Sequence, residues 1–210
     1  MLDLRERSDA VSELGAFTVA RVAAMFPGAA LRAIERHLPL VLKALNECGL
    51  GTPRIAAMTL ATIRAETAGF VPMNEMVSRF NTSVRGRLFD LYDTRKALGN
   101  RGAPDGERFR GRGFVQLTGR ANYARLSEEL GLGDELVRNP ERANEPEIAA
   151  RILARFIADK RNAISRALDD GDLGKARRLV NGGSHGLDAF SETYEKAVAL
   201  FAPHASTGSA

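Results

Sequence analysis

The chain has 210 residues, 44% of them hydrophobic, and a single cysteine. That apolar content supports a folded core and excludes a disordered chain, while a lone Cys48 excludes an internal disulfide and a cysteine-built metal cluster. A net charge of +4 and a pI of about 9.6 favour anionic surroundings such as nucleic acid, anionic lipid or wall polymer.

The N-terminus, Met-Leu-Asp-Leu-Arg-Glu-Arg-Ser-Asp, is charged where a signal peptide needs an apolar stretch. No window reaches the roughly 18 continuous apolar residues of a membrane span. The expectation is synthesis in the cytoplasm without a signal peptide, with another agent needed if the target lies outside. Leu31, Ile34, Leu38, Val41, Leu42 and Leu45 then recur at helical spacing, with Pro39 as a kink. Cys48 follows in this apolar run and reads as an inert buried thiol.

Thr52-Pro53 is a helix start, a capping residue followed by proline in the first turn. The helix is expected to run to about Ala68 and stop at Gly69, with Pro72 preventing resumption. Glu66 falls in its last turn, about three turns after Ile55 and close to the line of Thr59 and Ile63. A carboxyl on such an inward stripe is desolvated, which raises its pKa and favours a proton donor. Glu75 lies beyond Gly69 and Pro72, in a different element that can return across a cleft to face Glu66. One protonated and one ionised carboxyl are what glycoside hydrolysis requires. A surface acid and a loop acid are the plain alternative, and spacing alone does not decide between them.

From 99 to 113 the chain is rich in Gly, Pro, Asp, Asn and Arg and reads as a long loop. The stretch Arg-Gly-Arg-Gly-Phe-Val-Gln-Leu-Thr-Gly-Arg-Ala-Asn-Tyr, 110 to 123, then carries the densest signal. Alternation over Phe114, Val115, Gln116, Leu117 and Thr118 reads as a half-buried strand, with Val115 and Leu117 on one face and Gln116 and Thr118 on the other. Asn122, one helical turn past Thr118, returns to the polar side. Three uncharged hydrogen-bonding side chains on one patch suit a polyhydroxylated ligand or an ordered water. Thr118 also fits an N-cap, a role compatible with holding water. Gln116 is either a cleft residue or a solvated one. Arg112 either pairs with one of the carboxylates or faces solvent, and Tyr123 is either a core or rim aromatic or a sugar platform. Both are kept among the substrate-binding candidates.

A helix to about Leu130 follows, then an amphipathic one from Pro146 through Ile148, Ile152, Phe156 and Ile157. Asp169-Asp170-Gly171-Asp172 is a turn, Asn181-Gly182-Gly183 a helix end, and a last helix covers about 187 to 201. Asn181 is either a helix terminus or a cleft residue. Residues 1–202 form one mainly helical catalytic-size domain, and 203–210 a disordered tail. Ser184, His185 and Asp188 sit too close in sequence to align as nucleophile and base. His37 and His204 have no metal-ligand neighbours, so neither a metal nor another cofactor is expected. Arg110 to Leu117 partly matches an RNA-recognition octapeptide. It lacks two stacking aromatics, replaced by Arg112 and Leu117, so no nucleic-acid partner is expected.

Ala-Glu-Thr-Ala-Gly-Phe around Glu66, then Glu75, then the 110–123 segment, then Val-Asn-Gly-Gly resemble in that order the family 19 glycoside hydrolases. These are chitinases and related phage and bacterial endolysins, and the resemblance covers about residues 17 to 200. It implies a mainly α, α+β lysozyme-like fold, a helical two-lobed domain with a small β-hairpin region beside the cleft. It implies Glu66 as general acid, Glu75 as general base of an inverting mechanism, and Thr118 as holder of the attacking water. Gln116, Asn122 and Asn181 fall on the residues that line the sugar cleft. Where the family usually has His before the acid, this chain has Ala65, and after Gly183 the pattern is loosely followed. Shortness and the lack of disulfides look more like the endolysin branch. The expectation is therefore an endo-acting, monomeric hydrolase of peptidoglycan, released by a holin-like membrane pore, with a chitinase as the alternative. A carbohydrate-binding protein without activity is disfavoured by the presence of both glutamates.

Overall fold

The structure is a computed structural model that describes residues 14–183 and 185–200. The N-terminal stretch, Ser184, His204 and the tail from 203 lie outside the described residues. In chain order the helices are α1 (Val19–Met25), α2 (Leu31–Glu47), α3 (Pro53–Thr67), α4 (Asp105–Arg108), α5 (Arg120–Glu129) and α6 (Glu135–Arg138), followed by α7 (Pro146–Ala158), α8 (Arg161–Asp169), α9 (Leu173–Asn181) and α10 (Leu187–Ala199). None is long and apolar enough to cross a membrane, among the described residues.

α3 is the axis of the molecule. Pro53 occupies its first turn and the preceding Thr52 is extended, as expected, although the Thr52 side chain makes no capping bond. Its residues from Ile55 to Ile63 are all buried, so this helix has no solvated face for most of its length. Its polar members stay satisfied locally. Thr59, Thr62 and Thr67 donate to the carbonyls of Ile55, Met58 and Ile63 at 2.8, 3.0 and 3.1 Å. After its first two residues the helix emerges part-way only at Arg64, Ala65 and Glu66. It ends at Thr67 because Ala68 and Phe70 take positive φ, +47° and +57°, rather than Gly69, the residue expected to stop it.

α10 packs along α3, α7 along α2, and α9 along α8. Together they enclose a large core, in which Phe70 meets Phe26 edge-on at 4.7 Å and Phe114 at 6.2 Å. α2 runs through Pro39 as one helix and brings buried His37 against Phe114, centroids 5.8 Å apart. A second, smaller core holds Phe109, Leu117, Tyr123, Leu126, Leu136 and Ile152. α7 serves both, since Ile148 and Ile152 enter the small core while Ala149, Ala150, Leu153, Ala154 and Ile157 enter the large one. Two lobes therefore share one helix, and Val115 packs against both.

The mainly helical class is as expected, with 61% helix and 1% strand. The hairpin region is smaller than expected. Among the described residues it is a single antiparallel bridge between Arg112 and Leu117, closed by Leu117 N donating to Arg112 O at 2.8 Å and Arg112 N to Leu117 O at 3.2 Å. The expected strand over 114–118 is thus a turn. Phe114 is fully buried, as a core aromatic, because both Phe70 and His37 offer it an aromatic partner. The long loop expected over 99–113 is interrupted by α4 and tied down. Arg120 clasps Asp105 through Nε at 2.7 Å and Nη2 at 2.6 Å, and Asn100 links Tyr92 O to Arg120 N. Cys48 is only half-buried, and burial still raises its thiol pKa.

Phe114→Ala is expected to cost about 3–5 kcal/mol of stability by removing a fully buried ring. Denaturant unfolding measures this, and a loss below about 1 kcal/mol contradicts the packing described.

Candidate active site

Glu66 leaves the core in the last turn of α3 with 17% of its side chain exposed. It is not the unpartnered, desolvated carboxyl expected from the apolar stripe. Its Oε1 lies 2.8 Å from Nη2 of Arg177, a side chain that is itself fully buried. Arg177 is fixed in turn by the carbonyl of His185, which accepts from Nε at 3.1 Å and Nη2 at 2.9 Å. The same turn presses on the acid from behind. Gly186, at φ +72°, has room for no side chain without crowding, since a Cβ there stands 3.2 Å from Ala65 Cβ. The small residues Ala65 and Gly186 thus let the 185–186 turn dock next to Glu66.

Glu75 is held by a different kind of shell. Its Oε1 accepts from Tyr92 OH at 2.8 Å and Asn81 Nδ2 at 3.0 Å, and its Oε2 from Gly111 N at 3.0 Å. Its own backbone N–H donates to Gly111 O at 2.7 Å. A carboxylate has about four acceptor positions, so three donors leave about one open. Burial, then the hydrogen bond to Glu75, push the Tyr92 phenol up to about 12, which keeps it a donor at neutral pH.

Gln116, Thr118, Asn122 and Asn181 do converge, and they do so with Glu66. They line a cavity of about 230 Å³ floored by Val115, Leu117, Phe156 and Val180. The convergence comes from the tight turn and the start of α5, not from strand alternation. Gln116 sits at φ +52°, an unusual backbone for a non-glycine residue, and its Nε2 donates to Met73 O at 3.1 Å and Gly113 O at 3.3 Å. Thr118 does not cap α5, whose N-cap is Gly119. Its hydroxyl instead donates to Gln116 O at 2.8 Å, which leaves the oxygen lone pairs for a ligand. Asn122 Nδ2 donates to Thr118 O at 2.8 Å, and Asn181 Oδ1 accepts from Gly183 N at 3.0 Å. With both Gln116 N–H groups, the Thr118 hydroxyl proton and one Asn122 N–H so used, these three side chains offer mainly oxygens. The cavity is built to receive donors: hydroxyls, an amide N–H, or water.

Gly111 joins this cavity to Glu75. A Cβ on Gly111 stands 2.8 Å from Gln116 Oε1 and 3.1 Å from both Cβ and Oε2 of Glu75. Gln116 therefore reaches toward Glu75 on one side and shares the cavity with Glu66 on the other.

Arg112 and Tyr123 do not belong to this cavity. Tyr123 is fully buried in the small core, donating its phenol proton to Arg110 O at 2.8 Å, so no sugar can stack on it. Arg112 is 4% exposed and pairs with neither carboxylate. Its Nη1 is spent on Arg108 O and Tyr123 OH, both at 2.9 Å. Their apolar and cationic character braces the 110–112 backbone from inside. Sequence reasoning missed Asn81, Tyr92 and Arg177. Arg177 had a signal: it lies one helical turn from Leu173 and from Val180, on the inward face of α9, where an unpartnered guanidinium is costly. Asn81 lies in a turn and Tyr92 ends a single 3-10 turn over Asp90–Tyr92, so neither carries such a periodic mark.

Replacing Glu75 by Gln is expected to lower the Tyr92 titration from about 12 by removing a hydrogen-bonded negative charge, while Tyr123, also about 12 and raised by the same charge only as the smallest of its causes, moves less. Tyrosine-labelled NMR titration measures both. An unmoved Tyr92 contradicts the contact.

No family model matches the sequence. Among solved structures, chitinase C from Streptomyces griseus HUT6037 superposes with a TM-score of 0.59 over 88% of this chain and 76% of that one, at 19% identity. A glutamate-to-glutamine mutant of chitinase C gives 0.55 over 88% and 75%, at 21% identity. The chain therefore has the fold of chitinase C over 88% of its length.

Proposed function

We propose that the protein is an endo-acting glycoside hydrolase of β-1,4-linked N-acetylated amino-sugar polymers, working by inversion with Glu66 as acid and Glu75 as base. The observation that carries this reading is the contrast between Glu66, in a cavity lined with acceptors, and Glu75, joined to that cavity through Gly111 and Gln116. Glu66 gives its proton to the departing glycosidic oxygen, and the carboxylate left behind is the form that Arg177 pairs with. Glu75, ionised and gripped by three donors, keeps about one acceptor position for the proton of an attacking water. Thr118 Oγ1 accepts a hydrogen bond from the water's second O–H, which stays on the product hydroxyl, since its own proton is directed to Gln116 O. Gln116, Asn122 and Asn181 receive sugar hydroxyls and the acetamido N–H.

Peptidoglycan is the substrate proposed, in keeping with a cationic chain and an anionic wall. This carries with it action as a monomeric endolysin in cell-wall lysis, with release through a holin-like pore. Chitin is the second reading, favoured by the fold shared with chitinase C. Incubation with purified peptidoglycan and with chitin oligomers, followed by mass spectrometry, identifies the substrate and the bond cut.

Glu66→Gln is expected to lower turnover roughly 10²–10⁴-fold with the fold intact. Near-normal turnover in that variant removes Glu66 as the acid.

A further inference from the structure

On the other side of Gly111 from the Glu66 cavity, the chain builds a second concavity. It has a volume of about 300 Å³ and is walled by Arg108, Arg110, Arg112 and Arg138, with Glu107 and Glu141. Four guanidinium groups thus face two carboxylates. Among the described residues, Arg108, Arg110 and Arg112 have no acidic side chain within ion-pairing distance, and Arg138 alone has partners, Asp134 at 2.7 Å and Glu135 at 3.8 Å. Arg112 is almost wholly buried and its Nε–H has no hydrogen-bond partner. A buried donor left unmade on a cation is costly, and its uncompensated charge adds to the positive potential of this wall. Arg110 feels the same excess, since burial and then the neighbouring Arg112 charge lower its pKa.

The wall is rigid rather than incidental. Arg110 O accepts from Tyr123 OH, Arg112 Nη1 donates to Tyr123 OH and Arg108 O, and Arg108 Nη2 donates to Val137 O and Arg138 O at 2.9 and 2.8 Å. Arg110 and Arg112 also bracket Gly111, whose N–H holds Glu75. The two arginines of the wall thus flank the residue whose N–H holds the base.

We propose that this arginine-walled concavity is an anion subsite that takes a carboxylate carried by the peptide substituents of an amino-sugar polymer. The inference rests on the proposed reading of the neighbouring cleft and names what separates its two substrates. Peptide-bearing glycan has carboxylates to place here, and chitin has none. Guanidinium groups suit this task, because their planar donor forks match carboxylate and phosphate oxygens.

The test is calorimetric titration of the full chain with muramyl dipeptide, neutral N-acetylglucosamine trimer and inorganic phosphate, at low and high salt. It is repeated on Arg138→Gln and on Arg110→Gln combined with Arg138→Gln. Muramyl dipeptide affinity is expected to fall roughly threefold in the single variant, roughly tenfold in the double variant, and further with salt. Trimer affinity is expected to stay level. Equal loss for trimer and muramyl dipeptide overturns the proposal, as does phosphate binding without muramyl dipeptide binding, or no anion binding at all. Variant-sensitive muramyl dipeptide binding by a chain that cuts neither glycan supports the subsite and sinks the hydrolase reading instead.

Discussion

The arrangement depends on one close approach, that of Gly111 to Glu75. The two residues exchange a pair of hydrogen bonds, from Glu75 N to Gly111 O and from Gly111 N to the Glu75 carboxylate. No side chain fits between them, because a Cβ would press on Glu75 and on the Gln116 amide together. That contact pins irregular chain, which has no helix or sheet to fix it, onto the edge of the small core. It also sets the register of residues 112–122. Once Gly111 is placed, the Arg112–Leu117 bridge closes the turn, and Gln116, Thr118 and Asn122 face the end of α3.

The opposite wall is organised by charge. Burying Arg177 is expensive, and its cost is offset by Glu66 and the doubly bonded His185 carbonyl, with one Nη1 left unpartnered. A buried pair of this kind is weak evidence for stability and better evidence for positioning. It holds the Glu66 carboxyl at the mouth of the cavity, where rotamer freedom would otherwise scatter it. The positive φ values at Ala68 and Phe70 fall directly after Glu66, and the one at Gln116 faces it. Strained backbone of that kind persists where the surrounding structure over-determines it, here through Phe70 in the large core and Leu117 in the small one.

Much of this is legible in the sequence for a physical reason. Thr52-Pro53 marks a helix start, so the position of Glu66 near its end comes from counting turns. The separation of Glu75 from that helix is legible from Gly69 and Pro72, although the break itself falls at Ala68 and Phe70. Alternation groups Gln116 and Thr118 correctly, and helical spacing adds Asn122, but the premise is wrong: the chain makes a turn stabilised by Phe114 rather than a strand. Outside regular helices such as α9, what periodicity does not carry is which polar residues point inward. Tyr123 and Arg112 satisfy each other in the interior. Arg177, Asn81 and Tyr92 reach the carboxylates from distant or irregular chain, and only three-dimensional packing brings them there.

In the proposed mechanism the two carboxyls act on opposite faces of one sugar, through a water held near Glu75. Proton NMR of freshly formed product measures this most directly. Inversion at a β-1,4 linkage predicts that the α-anomer of the new reducing end appears first and then mutarotates. Initial appearance of the β-anomer would contradict the mechanism, because it would require a covalent intermediate and a nucleophile in place of the water.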